Sequence, residues 1–254
     1  MRNPVVRKLQ HGAVLSAEDQ RALTDACGDI RAFGPRTDLI VEGDRPDHVH
    51  AMIEGFACRY KLLDDGGRQI LAWLTPGDCC DLQVSLLNEM DHSIATLSEC
   101  TIGYISRADV EALLAQSAEI TRAMWWASLV DEAVLREWLA GMGRRSAEKQ
   151  VAHIFCELLE RLKAVGLADG DQFDFPVTQV ELADTVGLSS VHVNRITQGL
   201  RDRGLIRWRG TSFAVLDVAA LRREPRQPPQ YLHLDRGSRF DDAPAKAPAP
   251  LRAL

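Results

Sequence analysis

Between Phe33 and Ile105, apolar residues cluster in short β-prone runs that are separated by glycine-centred turns. Many short strands joined by tight turns favour a sandwich or a barrel-like roll. We therefore predict a β-roll over residues 33–106, preceded by a helical segment over residues 1–32. The runs are Asp38–Val41, Val49–Ile53, Gln69–Leu74 and Thr101–Ile105, and the turns are Gly34–Pro35, Glu42–Asp44, Glu54–Gly55, Asp65–Gly67 and Pro76–Asp78.

From Arg107 onward the apolar spacing changes to three and four residues, which predicts a long helix over residues 107–143. A helix that is apolar on two faces needs two partners. We expect this one to pack on its own roll and on a symmetry mate, and a core helix of a monomer is the alternative. The predicted dimer interface is Ile120, Met124, Ala127, Val130, Val134, Trp138 and Gly141, and the second apolar face is Trp125, Leu129, Leu135, Leu139 and Met142.

Glycines and arginines interrupt the pattern from Gly141 to Arg145, which indicates a hinge. A further domain is predicted over residues 144–224, beginning with a helix that Ser146 caps. Residues 225–254 are rich in proline and alanine, and we expect most of this tail to be disordered. The short apolar run Tyr231–Leu234 is the exception that we expect to pack on the body.

Residues 178–197 carry the most specific pattern in the chain. Thr178 and Glu181 form a capping box, so a helix begins here. Gly187 suits a turn that needs a positive φ, and Ser189 suits the cap of the next helix. Together these residues predict a helix-turn-helix. Its buried positions are Leu182, Val186, Leu188, Val193 and Ile196.

The second helix of this motif presents side chains that can reach base edges in a major groove. A hairpin that turns at Gly210 follows, and two arginines on one of its faces suit a wing on the DNA backbone. The predicted DNA-binding residues are Thr178, Gln179, Ser189, Ser190, Val191, His192, Asn194, Arg195, Arg207 and Arg209.

Charge supports this interpretation locally, although the whole chain carries a net charge of -6. Between Val177 and Glu224, seven arginines outnumber five carboxylates, and no carboxylate lies between Asp184 and Asp202. No apolar run is long enough to span a bilayer, and no secretory signal is recognisable, so we expect a cytoplasmic protein. The sequence contains no phosphate-cradling loop, nucleophile elbow or strong metal motif, so we do not expect an enzyme.

On these motifs, the chain from about Arg31 to Leu221 resembles the Crp/Fnr family of bacterial regulators. The β-roll glycines, the hinge, the helix start at Thr178, the turn glycine and the wing follow in the family's order. The resemblance implies an α+β fold with a cyclic-nucleotide-binding-like jelly roll, a long dimerisation helix and a C-terminal winged helix-turn-helix. It also implies a homodimer on a two-fold operator in double-stranded DNA, with RNA polymerase as a further partner and no membrane association.

The effector pocket departs from the family pattern. Members that bind cyclic AMP use a Gly-Glu pair and an Arg-Ser pair, and these positions are here Asp81–Leu82 and His92–Ser93. Leucine cannot accept a hydrogen bond from ribose, and Asp81 repels a cyclic phosphate. We therefore predict a degenerate pocket at Asp81, Leu82, His92 and Ser93 that does not bind cyclic AMP. The run Cys79–Leu82 with Met90–Ile94 is similar to a proteobacterial subgroup that lacks this pocket.

Two further departures concern the cofactor and the operator. Oxygen-sensing members carry an N-terminal cysteine cluster for an iron–sulfur centre, but only Cys27 precedes the roll here, so we predict no cofactor. Val191 stands where the family often has a glutamate, so the half-site is expected to differ from the usual one.

The sequence thus predicts a sequence-specific, homodimeric transcription regulator that responds to an effector other than cyclic AMP or to none. The alternative is a sensor or scaffold whose helix-turn-helix contacts protein. Lesser alternatives are a metal site at His48, His50 and His92, haem ligation by His92, and a thiol sensor at Cys79 or Cys80.

Overall fold

The computed structural model of the chain describes residues 3–82, 89–223 and 229–234. The helices are α1 (Pro4–Leu9), α2 (Ala17–Ala26), α3 (Arg107–Gln116), α4 (Ala118–Arg144), α5 (Ala147–Ala164), α6 (Gln179–Val186), α7 (Ser190–Asp202) and α8 (Val218–Arg223), with a 3-10 turn at Gln230–Leu232. The strands are β1 (Asp29–Phe33), β2 (Asp38–Ile40), β3 (His48–Glu54), β4 (Ala57–Leu62), β5 (Arg68–Leu74), β6 (Cys79–Cys80), β7 (Ser93–Thr96), β8 (Cys100–Ser106), β9 (Ala168–Asp169), β10 (Gln172–Asp174), β11 (Ile206–Arg209) and β12 (Ser212–Val215).

Strands β1 to β8 form the roll, which consists of two four-stranded antiparallel sheets in the orders β1-β8-β3-β6 and β2-β7-β4-β5. Its first strand begins at Asp29, inside the segment that the sequence assigned to the N-terminal helices. Buried side chains of both sheets, such as Met52 and Ile94, pack in one cluster. The turn between β3 and β4 requires glycine at position 55, where φ is +83°. A Cβ atom at Gly55 would lie 2.1 Å from the carbonyl oxygen of Glu99. The fold class predicted from the sequence is confirmed.

The helix predicted from Arg107 to residue 143 is in fact two helices, α3 and α4. Ser117 between them is extended (φ -136°, ψ 119°), and its hydroxyl accepts a hydrogen bond from the N–H of Ile120 at 3.2 Å. The serine thus starts a new helix instead of continuing the old one. Helix α4 then runs through the predicted hinge glycines as far as Arg144, so the chain leaves the helix only at Arg145.

The C-terminal domain is built around α5, whose inner face is buried along nearly its whole length. A four-stranded sheet in the order β11-β12-β10-β9 packs beside it. An aromatic cluster joins the helix to this sheet, with the ring centroids of Phe155 and Phe213 only 4.6 Å apart. The hairpin of β11 and β12 turns at Gly210, where φ is +57°, as the turn prediction requires.

The roll and the C-terminal domain share one hydrophobic core, which includes Trp73 from the roll and Phe175 from the C-terminal domain. The indole N–H of Trp73 donates to the hydroxyl of Thr185 at 3.0 Å in a buried position. Beside it, Arg68 forms an ion pair with Asp184 at 2.8 Å. The first helix of the helix-turn-helix therefore packs directly on strand β5 of the roll.

After the winged domain, residues 229–234 lie against the body of the molecule, and we call them the C-terminal strap. Leu232 is 1% exposed and joins the shared core, while Tyr231 and Leu234 pack beside it. The run Tyr231–Leu234 therefore packs on the body, as we expect from the sequence. The rest of the tail prediction falls on residues 225–228 and 235–254, which lie outside the described residues.

Candidate nucleic-acid interface

The helix-turn-helix forms from local signals that the structure satisfies one by one. The Thr178 hydroxyl accepts a hydrogen bond from the N–H of Glu181 at 3.2 Å, and the Glu181 carboxylate accepts one from the N–H of Thr178 at 2.7 Å. This reciprocal capping box starts α6. Gly187 ends α6 in the left-handed region with φ at +67°, and Ser189 caps α7 through the N–H of His192 at 3.3 Å.

The side chains that hold the two helices together lie where the sequence predicts them. Four of the five predicted positions are buried, and Leu188 in the turn is half-buried. Glycine at 187 and the small Ala183 leave room for the helices to cross. The buried four are Leu182, Val186, Val193 and Ile196.

The opposite face of α7 is open to solvent. Ser190, Val191, His192, Asn194 and Arg195 are all exposed, and Val191 is 62% exposed. This face combines hydrogen-bond donors, acceptors, a methyl-bearing side chain and a cation, which is the set of groups that base edges in a major groove require.

Two predicted residues at the start of α6 and one at the cap of α7 flank this face. Thr178 and Ser189 are exposed. Gln179 is half-buried, and its side-chain oxygen accepts a hydrogen bond from the Thr197 hydroxyl at 3.5 Å. Gln179 is therefore the least accessible of the ten predicted DNA-binding residues.

The wing separates its cations from its aromatic anchor. Arg207 and Arg209 are exposed on one face of β11, and Trp208 between them packs against the aromatic cluster, 5.0 Å from the ring of Phe175. Arg207 donates a hydrogen bond to Gln172 at 3.3 Å. The strand alternation therefore presents both arginines to solvent while the tryptophan fixes the strand.

The sequence did not reveal one acidic neighbour of this surface. Glu148, in the first turn of α5, forms an ion pair with Arg203 at the end of α7. It also lines a depression beside the exposed face of α7, together with Val191, His192 and Arg195. The segment from Asp184 to Asp202 indeed lacks carboxylates, but the fold brings one in from a position 55 residues away.

The long helix corrects the predicted dimer interface. All seven residues assigned to it are buried within the chain itself, because α4 turns this face to the roll, the N-terminal helices and α5. The other apolar face points outward. Its exposed fractions are 66% for Trp125, 54% for Leu129, 50% for Leu135, 66% for Leu139 and 45% for Met142.

The predicted effector pocket holds an acid–imidazole contact. Asp81 is 3% exposed, and its Oδ1 lies 3.4 Å from Nε2 of His92, while its Oδ2 has no hydrogen-bond partner among the described residues. Asp81 has φ at +61°, a conformation that favours glycine. Ser93 accepts a hydrogen bond from the N–H of Glu42 at 2.9 Å, and Leu82 packs against an apolar cluster. Two of the four side chains are thus already engaged elsewhere.

Charge around Asp81 comes from two further groups. Burial lowers the pKa of His92, but contacts with Asp81 and Asp91 outweigh it and raise the pKa above its ordinary value. Arg59 on β4 is the nearby cation that sequence reasoning missed, and its guanidinium contacts Asp131 of α4 at 3.3 Å. Arg59 and the imidazole of His92 therefore already face carboxylates.

The lesser candidates find little support in the described residues. No three His, Cys, Asp or Glu side chains within them come together as a group that could hold a metal ion. Cys79 and Cys80 are buried in two different apolar clusters, and burial raises the pKa of both thiols. In the same part of the chain, no helix has the length and apolarity to cross a bilayer.

Comparisons with known proteins agree with this geometry. A model of the Crp-like helix-turn-helix domain matches residues 149–224, and a model of the cyclic nucleotide-binding domain matches residues 30–117. The transcriptional activator protein FnrL of Cereibacter sphaeroides is 23% identical over 222 residues, which cover 85% of this chain and 89% of FnrL.

A further relative and a solved structure are also similar. The nitrogen fixation regulation protein FixK of Bradyrhizobium diazoefficiens is 28% identical over 187 residues, covering 74% of this chain and 78% of FixK. The solved structure of FixK2 from Bradyrhizobium japonicum superimposes with a TM-score of 0.69 at 20% identity, covering 76% of this chain and 95% of FixK2. The structural match supports the fold.

Proposed function

Because the chain belongs to the Crp/Fnr family of transcription regulators, whose members bind DNA and act as dimers, we propose that α6, α7 and the wing are its operator-binding surface. The observation that carries the proposal is the exposed face of α7, where polar and cationic side chains stand on a buried apolar anchor. A helix-turn-helix uses such a face to enter the major groove.

Within this surface the residues divide by reach and charge. Val191, His192, Asn194 and Arg195 lie on α7, where they can meet base edges. Thr178, Gln179, Ser189 and Ser190 lie at helix starts, whose N–H groups suit phosphates. Arg207 and Arg209 on the wing suit the backbone of the same duplex.

Selection of double-stranded fragments from a random pool tests this proposal. We expect enrichment of a two-fold sequence, and we expect binding of that sequence to weaken steeply as salt rises, because phosphate contacts release counterions. Failure to retain any DNA would favour the alternative, a scaffold that uses the motif for protein contact.

We further propose that the outward face of α4 is the dimer interface. Five large apolar side chains stand exposed along one helix, which is costly for a monomer in water. Because members of the family act as dimers, we propose that a second copy of the chain covers this face. Two such helices packed side by side would bury this stripe against an identical one.

The signal is proposed to be something other than cyclic AMP. Asp81 places a buried carboxylate with one unpaired oxygen where the resemblance puts the cyclic phosphate, and His92 faces that carboxylate. A cyclic phosphate would lose hydration there without gaining a free cation. We also propose, from the resemblance to the family, that the DNA-bound protein contacts RNA polymerase.

A further inference from the structure

The C-terminal strap contacts α5 of the C-terminal domain through side chains that are not among the proposed DNA-binding residues, and its anchor is Tyr231. The phenol donates a hydrogen bond to Oε2 of Glu157 at 2.6 Å. Nε2 of His153 lies 2.9 Å from the same phenol oxygen. A phenol has one hydrogen, so His153 must be the donor in this second contact. Tyr231 therefore joins two side chains of α5 at once.

Glu157 is the point where several parts of the molecule meet. It is 1% exposed, and its Oε2 also accepts a hydrogen bond from the indole N–H of Trp138 on α4 at 3.1 Å. Its other oxygen pairs with Arg161 at 3.4 Å. Arg161 in turn donates to the backbone oxygen of Trp73 in the roll at 2.8 Å. One buried carboxylate thus links the strap, the long helix and, through Arg161, the roll.

The far end of the strap is held as well. The ring nitrogens of His11, next to α1, lie 3.2 Å from the backbone oxygen of Leu234 and 3.1 Å from that of Ala164 at the end of α5. Leu232 between the two ends is buried in the shared core. The strap therefore crosses from α5 to the N-terminal segment with contacts at both ends and in the middle.

The covalent connection between α4 and α5 is short, since only Arg145 and Ser146 separate the helices. Two residues with free φ and ψ can change the angle between two rigid helices. Contacts between the two helices and the packing of the shared core therefore fix that angle, and the hydrogen bond from Trp138 of α4 to Glu157 of α5 is one of these contacts.

We propose that Tyr231 is a positioning residue for DNA binding, which fixes the angle between the C-terminal domain and α4 and thereby the spacing of the two α7 helices in the dimer. The inference rests on the proposed function, because spacing matters only when both helices bind one operator. Removal of the Tyr231 hydroxyl takes one hydrogen-bond donor away from the buried carboxylate of Glu157. This change loosens the contact between α4 and α5 and alters no residue of the operator-binding surface.

Tyr231→Phe tests this with two DNA ligands, the selected operator and a duplex that carries a single half-site. Binding of both half-sites gains from their linkage only when the spacing fits. We expect Tyr231→Phe to bind the full operator about tenfold more weakly and the half-site with unchanged affinity. Gln230→Ala, an exposed neighbour in the strap, is the matched control and should bind both ligands as the wild type does.

Leu232→Asp serves as a second variant, because a charge at this buried position should detach the whole strap and give the same pattern with a larger loss on the full operator. Equal losses on both ligands would show damage to the operator-binding surface and overturn the inference. Unchanged affinity for both ligands in both variants would also overturn it. Wild-type protein that binds neither ligand would instead overturn the proposed function, and the inference with it.

Discussion

The guanidinium of Arg161, in the C-terminal domain, lies 2.7 Å from the carboxylate of Asp78, in the turn of the roll before β6. Lys8 of α1 approaches the other oxygen of Asp78 at 2.6 Å. Asp78 is 2% exposed and also accepts a hydrogen bond from the N–H of Thr75 at 2.6 Å. One buried carboxylate thus holds cations from two other parts of the chain.

Asp78→Asn should therefore destabilise the protein strongly. The change leaves two buried cations facing a neutral amide, and breaking a buried ion pair on one side costs about 3–5 kcal/mol of unfolding free energy. Urea unfolding at neutral pH measures this loss. Asp29→Asn, which breaks an exposed pair with Arg31, is the control and should leave the unfolding free energy nearly unchanged, because water screens exposed ion pairs.

The contribution of Asp78 to stability should also depend on pH. Burial raises the pKa of Asp78, but Lys8 and Arg161 outweigh it and hold the pKa well below its ordinary value. A carboxyl whose folded pKa is depressed stabilises the fold above its unfolded pKa, and this contribution is lost as pH falls below that value. The wild-type protein should therefore lose stability below about pH 4, and the Asp78→Asn variant should lose less over that range. Parallel curves would contradict the assignment.

Arg195→Ala and Arg209→Ala should weaken DNA binding in different ways. Arg195 stands on the exposed face of α7, so its loss should cost about 1–3 kcal/mol at the selected operator and relax specificity at one base pair. Arg209 lies on the wing, so its loss should weaken binding to all DNA sequences alike. It should also reduce, by about 0.9, the slope of the logarithm of the binding constant against the logarithm of the salt concentration. Binding titrations on cognate and scrambled duplexes at several salt concentrations separate the two patterns, and a uniform loss from Arg195→Ala would make it a phosphate contact.

Leu139→Glu should yield monomers with poor operator binding. Leu139 is 66% exposed in one chain, and burial of a glutamate against a second copy leaves its charge without a partner. Sedimentation measures the association state. Val14→Glu, at a position 77% exposed before α2, should leave the dimer intact. Val134→Glu changes the inward face of the same helix, so it should lower the melting temperature. If a well-folded Val134→Glu protein were instead a monomer, the dimer interface would lie on the inward face.

Glu148→Gln should tighten non-specific DNA binding. The carboxylate lies beside the exposed face of α7, and its replacement by an amide removes the repulsion of phosphates that approach this face. We expect a gain of about two- to fivefold at low salt that vanishes as salt screens the charges. Fluorescence anisotropy with a scrambled duplex measures it. Glu42→Gln, which breaks an ion pair with Lys61 on the roll, is the control. An equal gain in DNA affinity from this variant would show that the effect comes from the net charge of the protein and not from the position of Glu148.

Cyclic AMP should not change the melting temperature of the wild-type protein. A ligand that binds only the folded state at 100 times its dissociation constant stabilises by about 2.7 kcal/mol, which thermal unfolding detects easily. A shift that nucleotide analogues compete away would contradict the interpretation of Asp81 and His92. The triple change Asp81→Gly, Leu82→Glu and His92→Arg tests the same logic in reverse, because it removes the repulsion and restores the two polar partners.

The helix-turn-helix was predictable because its determinants are local. The caps of Thr178 and Ser189 and the positive φ of Gly187 depend on residues three or four positions away. The roll was predictable for the same reason, since glycines such as Gly55 mark its turns.

The orientation of α4 was not predictable, because both of its faces are apolar and only the docking of the roll and α5 decides which turns inward. The contact of Glu148 with Arg203 joins positions 55 residues apart that no spacing rule connects. The end of α3 at Ser117 escaped notice because the apolar spacing continues across it, although the serine caps the next helix.

The hydrophobic core that runs from Trp73 of the roll to Phe175 of the C-terminal domain has a thermodynamic consequence. Neither half can expose its share of this core without cost to the other, so the two halves are one cooperative unit of folding. Recombination that exchanged one half for that of a relative would have to match this buried surface side chain by side chain. Selection on the roll therefore acts on the C-terminal domain as well, through packing alone.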